Sequence, residues 1–297
     1  MNLIRFPADQ VIAPLFVPAL EIRKLRKAES LAEAVIVDLE DSVVDVDKSR
    51  AAQWLNELPP PAGRAQRWVR VNGDSSGRLR DDIDAINKYV SVVVLPKCDG
   101  ADHLEALYAE LDRVGSQAVV VPMIETARGL ENIGEIARHS PTRVSRLALG
   151  LADLAADMGL PLQPHSMLVS YALARLVLAS RAAELAEPLD APHLRLDDAD
   201  VLAEVASLAK GTGFGGKLCI HPSQVPVIHA VFTPKESELL RAEQILTAFR
   251  RAADHGRASV IVEGEFVDLP VAMQAHRMLK QSEWPQGPDI ELREDSS

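Results

Sequence analysis

The sequence predicts a (β/α)8 TIM barrel, an α/β fold, followed by a C-terminal helical and hairpin arm or lid; three observations carry this. Eight short runs rich in Val, Ile and Leu recur up to residue 220. They are nearly continuous rather than alternating, as strands of a parallel sheet covered on both faces are. Between them lie stretches with apolar residues at threes and fours, the period of helices packing on such a sheet. An open doubly wound sheet is the rival, but the place after its first strand, where a Gly-rich phosphate loop belongs, here reads Val17-Pro-Ala-Leu-Glu21.

The expected strands are 11–17, 34–38, 68–71, 91–95, 118–123, 144–149, a weaker 192–196, and 215–220. The expected helices are 47–58, 79–88, 101–114, 129–138, 167–186 and 199–210, the Ala- and Leu-rich 167–186 being long enough for five turns. After Pro234 the pattern changes to a long helix over 236–254, a hairpin within 258–270 and a last helix starting near Pro270. The chain thus divides into a barrel over 1–233 and an extension over 234–297. The extension is surplus to eight βα units and either caps the barrel or forms a lid or an arm on a neighbouring subunit.

Composition narrows the function. With 297 residues, 47% hydrophobic, the chain can bury one large core. Its 43 acidic and 32 basic residues leave a formal charge of −11, the wrong sign for following a phosphate backbone, so nucleic acid is not an expected partner. Cys98 and Cys219 lack metal-ligand spacing and read as buried thiols of a reducing compartment. Without a signal-peptide pattern or an apolar run long enough to span a bilayer, a cytoplasmic protein that does not engage membranes is expected.

Groups just beyond the C-terminal strand ends of a barrel converge on one site. That rule selects Asp38, Glu40 and Asp41, then Arg70 and Asn72, Lys97, Glu125, Asp153 and His221. Glu125 and Asp153 stand one βα unit apart and suit a hard divalent cation, Mg²⁺ or Mn²⁺, that takes one or two protein carboxylates. The competing reading makes each a helix cap. Arg70 either meets a substrate carboxylate, pairs internally with the acidic trio, or does both. Glu40 and Asp41 suit binding metal waters and holding Arg70, or capping a helix. Lys97 suits charge stabilisation rather than a Schiff base, since acidic neighbours oppose a lowered pKa. His221 reads first as a hydrogen-bonded loop residue. Asp268 reads as a turn or N-cap before Pro270, and as a catalytic acid or base only if the extension closes over a barrel mouth.

Several stretches resemble the citrate lyase beta-subunit-like family of the HpcH/HpaI aldolases: Leu15-Phe-Val-Pro18, Val35-Ile-Val-Asp-Leu-Glu-Asp-Ser-Val43, Val69-Arg-Val-Asn72, Leu95-Pro-Lys97, Ile124-Glu-Thr-Ala-Arg-Gly129, Leu149-Gly-Leu-Ala-Asp-Leu154, Gly213-Phe-Gly-Gly-Lys217, Ile220-His-Pro-Ser-Gln224 and Glu263-Gly-Glu-Phe-Val-Asp-Leu-Pro270. Their order covers nearly the whole chain. The resemblance implies a homotrimer or dimer of trimers that makes or breaks a carbon–carbon bond in a malyl-, citramalyl- or citryl-CoA-like thioester, giving acetyl-CoA or an acetyl unit and an oxo-acid. It implies Glu125 and Asp153 as Mg²⁺ ligands, Arg70 on the oxo-acid carboxylate, and Asp268 reaching an active site from the arm.

CoA, part of the substrate, is expected to set its phosphates among Arg23, Lys24 and Arg128, with Lys97 beside the pocket; Arg23 and Lys24 read otherwise as solvated helix charge. The chain departs from the family's Gly and Arg-Pro after Phe-Val-Pro, with Ala19-Leu-Glu21-Ile-Arg23-Lys24 in their place. Thioester hydrolysis, a CoA-independent oxo-acid aldolase and a non-catalytic binding protein of the same fold are the alternatives.

Overall fold

The computed structural model describes residues 6–73, 76–139, 143–161 and 166–282. It divides into two compact units at Phe232 and Thr233.

In the first unit eight parallel strands follow one another in sequence order. They are β1 (Leu15–Pro18), β2 (Ala34–Asp38), β3 (Gln66–Arg70), β4 (Val90–Leu95), β5 (Val119–Ile124), β6 (Ala148–Leu149), β7 (Leu189–Asp190) and β8 (Gly216–Lys217). Hydrogen bonds from Lys217 N to Ile12 O, Cys219 N to Pro14 O and Phe16 N to Cys219 O join the last strand to the first, which closes the barrel. The connecting helices are α1 (Ile22–Glu29), α2 (Lys48–Glu57), α3 (Leu79–Asp84), α4 (Ala101–Arg113), α5 (Ala127–Glu131), α6 (Ile133–His139), α7 (Leu151–Asp157), α8 (Met167–Ala182), α9 (Ala199–Thr212) and α10 (Gln224–Phe232).

The period of two along each strand separates two cores. Ala34, Ile36, Trp68, Val92, Val94, Val121, Met123, Ala148, Leu189 and Leu218 form one buried cluster, while the alternate residues Val35, Val37, Val69, Val93 and Val120 pack in a second with the helices. A 3-10 turn, Pro7–Gln10, adds Ala8 to the first cluster, and the buried Arg146 guanidinium donates to the carbonyls of Ala8, Asp9 and Val11.

Strands β6 and β8 and helix α3 are shorter than the sequence reading, and three further elements differ for a local reason. The seventh strand is Leu189–Asp190, not 192–196; Pro192 has no N–H for a ladder, and the apolar residues after it belong to a loop. The helix expected over 129–138 is two helices parted at Asn132, whose side chain donates to Asp99 O at 2.7 Å. The long helix stops at Ala182, just before Glu184 turns to φ +57°.

In the second unit α11 (Glu236–Asp254) and α12 (Leu269–Gln281) enclose a core of Leu239, Leu246, Phe249, Ala272 and Leu279. Between them β9 (Val260–Val262) and β10 (Glu265–Val267) form an antiparallel hairpin. Its two-residue loop, Glu263 and Gly264, has φ of +50° and +88°, the paired positive values a tight hairpin demands.

Candidate active site at the barrel mouth

Continuing the inward period of two past the last apolar layer brings Asp38, Arg70 and Glu125 to the mouth, two residues beyond Ile36, Trp68 and Met123. They line a cavity of about 350 Å³ with Phe16, Asp41 and Asp153.

Arg70 is buried and surrounded by three carboxylates. Its Nε and Nη2 donate to the two Asp38 oxygens at 2.7 and 2.8 Å, and its Nη1 lies 3.1 Å from both Glu40 and Asp41. The guanidinium carbon sits 4.9 Å from the Phe16 ring centroid. Burial opposes the charge on each partner, but the bidentate pairing outweighs it: the Asp38 carboxyl is held below its ordinary value and Arg70 above its own. The internal pairing expected for Arg70 is therefore present; contact with a substrate carboxylate would engage the Nη1 edge now shared with Glu40 and Asp41.

Lys97 follows β4 in a left-handed conformation, φ +46°. Its backbone N–H donates to Glu125 Oε1 at 2.7 Å while its ammonium reaches Glu40 at 2.6 Å and Asp153 at 3.8 Å. Burial opposes the Lys97 charge, but Glu40, Glu125 and Asp41 together hold its pKa above the ordinary value, which removes the Schiff-base reading.

Glu125 is 1% exposed. Burial, aided by the like charges of Glu40 and Asp153, pushes its carboxyl up to about 8. It does not cap the helix behind it, because Thr126 does, accepting from Gly129 N. Asp153 lies in the first turn of α7, 40% exposed and open to the cavity. Gly150, at the end of β6, lies against Glu125: a Cβ there would stand 2.3 Å from Glu125 Oε2.

Five carboxyl groups thus surround two cations, Arg70 and Lys97, so that full ionisation of all five would leave negative charge in excess. Among the described residues no group of three His, Cys, Asp or Glu side chains is arranged to hold a metal ion. The donor set therefore suits an ion that accepts two carboxylates and completes its shell with water and substrate oxygens, the habit of Mg²⁺ and not of structural zinc.

The chain belongs to the HpcH/HpaI aldolase/citrate lyase family. The family model matches residues 13–222, which span the barrel and all of these mouth residues. Within that family the chain falls in the CitE-like branch. It is 33% identical over 273 residues to a (3S)-malyl-CoA thioesterase of Cereibacter sphaeroides, covering 91% of this chain and 93% of that protein. It is 33% identical over 275 residues to a citrate lyase subunit beta-like protein of Mycobacterium tuberculosis, covering 90% and 94%. The crystal structure of M. tuberculosis CitE in complex with magnesium, acetoacetate and coenzyme A superposes with a TM-score of 0.76 at 30% identity, covering 92% of this chain and 98% of that one.

Among the described residues, Arg23, Lys24, Arg128 and His221 make no hydrogen bond or ion pair with this cluster, and Asp268 belongs to the second unit. Arg23 and Lys24 are exposed on α1, Lys24 pairing with Glu21 at 3.3 Å, and Arg128 is exposed in the first turn of α5. His221 is exposed and hydrogen-bonds Ser223 at 2.8 Å, the loop role expected of it. Asp268 is the N-cap of α12, accepting from Val271 N. Cys98 and Cys219 are free and buried, their thiols pushed up to about 12 by burial. Among the described residues no helix is long and apolar enough to cross a membrane.

Sequence reasoning missed Lys48, Asp82 and the buried Asp190–Lys217 pair at 2.5 Å. Lys48 and Asp82 sit in charged helical starts that look solvated, yet Asp82 is buried and Lys48 half-buried. Asp190 and Lys217 are the last residues of β7 and β8, one βα unit apart.

Proposed function

We propose that this protein is an Mg²⁺-dependent carbon–carbon lyase acting on a malyl-, citramalyl- or citryl-CoA-like thioester, releasing acetyl-CoA and an oxo-acid. The observation that carries the reading is the excess of carboxylate at the barrel mouth, centred on buried Glu125. Glu125 and Asp153 are the residues that would hold the ion. When bound, it would polarise the hydroxyl or carbonyl oxygen at the carbon where the bond breaks or forms.

The protein's own groups supply the rest. The Nη1 edge of Arg70 binds the oxo-acid carboxylate, oriented by the Asp38 fork beneath it. Glu40 and Asp41 keep Arg70 in place and would accept hydrogen bonds from water on a bound ion. Lys97 fixes Glu125 through its backbone and balances charge through its ammonium. Asp268, on the extension of a neighbouring subunit in a trimer or dimer of trimers, donates a proton to the enolate carbon in cleavage and removes it in synthesis. Arg23, Lys24 and Arg128 meet the CoA phosphates. The reading calls for a compartment that holds acyl-CoA, and the cytoplasm is the one we propose.

Hydrolysis of the thioester is the second reading, favoured by the likeness to the C. sphaeroides thioesterase. Incubation with malyl-, citramalyl- and citryl-CoA, with Mg²⁺, with EDTA and with Glu125→Gln, decides between them. Acetyl-CoA plus an oxo-acid, lost in both controls, supports the lyase; free CoA alone supports the thioesterase; no turnover of any thioester overturns both.

A further inference from the structure

Lys48 opens α2, where a cation opposes the helix dipole. Its ammonium has no carboxylate within ion-pair distance among the described contacts. It donates instead to three neutral oxygens, Leu39 O at 3.0 Å, Glu40 O at 2.9 Å and Asn72 Oδ1 at 2.6 Å. Two of these bonds fall on the turn that follows β2, and the third falls on the segment that follows β3. Asn72 completes the arrangement from β3: its Nδ2 donates to Leu39 O at 3.1 Å and to Asp82 Oδ2 at 2.7 Å, and its backbone N–H donates to the same Asp82 oxygen at 2.7 Å. Burial pushes the Asp82 carboxyl up, opposed by the Asn72 bonds and the Lys48 charge.

The consequence lies one bond away. The clamped Leu39–Glu40 backbone aims the Glu40 side chain at Lys97, 2.6 Å, and at Arg70, 3.1 Å. A helix-capping role does not account for a cation here, and a surface role does not account for three short bonds to backbone and amide oxygens. We propose that Lys48, with Asn72 and Asp82, is a positioning unit for the active site, holding the turn after β2 so that Glu40 and Asp41 meet Arg70 and Lys97. Lys48 touches neither substrate nor metal in this assignment; it acts through the backbone of Glu40. The kinetic part of the proposal rests on the lyase reading above.

The test compares wild type with Lys48→Met, which keeps the stem and loses the donors, and Lys48→Arg, which keeps donors. Amide hydrogen exchange over residues 38–46, thermal unfolding, and kcat and KM on the thioester that the wild type cleaves are measured together. The expected result for Lys48→Met is faster exchange confined to 38–46 and a loss of about tenfold or more in kcat/KM, carried mainly by kcat, with partial recovery in Lys48→Arg. Exchange and kcat/KM within twofold of wild type would overturn the proposal. So would protection lost across the whole barrel in step with a fallen Tm, which marks a role in the fold alone. If the wild type cleaves none of the thioesters, the lyase reading fails, and exchange over 38–46 still decides whether the clamp exists.

Discussion

The backbone N–H of Lys97 donates to the Glu125 carboxylate at 2.7 Å, and Lys97 itself stands at φ +46°. A lysine in the left-handed region is strained by its Cβ, and glycine is not. Lys97→Gly should therefore be more stable than Lys97→Ala by about 1 kcal/mol in denaturant unfolding. Equal stability of the two would remove strain from the account of this turn.

Glu125 links metal binding to pH. Its folded-state value of about 8 lies above the ordinary 4.5, so between those values the folded protein binds more protons than the unfolded chain. Stability of the metal-free protein should fall as pH rises through this window, and Glu125→Gln should flatten that slope. Mg²⁺ competes with the proton, so its stabilising effect should grow from pH 6 to 8. Melting temperatures with Mg²⁺ and with EDTA across that range give the answer; a slope unchanged in Glu125→Gln would assign it to another group.

Gly150→Ala places a methyl group 2.3 Å from Glu125 Oε2 and 2.6 Å from its Cβ. Neither atom can yield without turning the carboxylate, so Mg²⁺ affinity by calorimetry should drop about tenfold or more. An affinity equal to wild type would mean that Glu125 does not hold the ion.

Asp38→Ala strands the buried Arg70 guanidinium, of which Glu40 and Asp41 hold only Nη1. Removing one partner of a buried pair costs about 3–5 kcal/mol, a loss that urea unfolding would register. Asp41→Ala, at an exposed partner, should cost under about 1 kcal/mol.

The barrel was legible because strands buried on both faces write continuous apolar runs, and seven of the eight strands lie within or close to their expected spans. The sixth and eighth proved shorter than their runs, and the seventh was misplaced because a two-residue strand leaves too little pattern, whereas 192–196 carries more apolar residues without pairing. Glu125, Asp153 and Arg70 could be read from their place after apolar runs. Lys48 could not, since Asp45-Val-Asp-Lys-Ser-Arg50 has the composition of any solvated helix start.

By itself the sequence determined the periodicities, and with them the closed barrel, the appended helices and hairpin, and which charged residues follow each strand. These are local properties, written within a few residues of one another. Tertiary structure alone decided how those charges are shared: that Asp38 grips Arg70 with both oxygens, that Lys97 bends backward onto Glu125, and that Lys48 clamps the turn bearing Glu40. Such partnerships join residues between 8 and 32 positions apart. Strand register and burial bring them within hydrogen-bond distance, and burial then makes each pairing matter by removing the water that would otherwise compete for it.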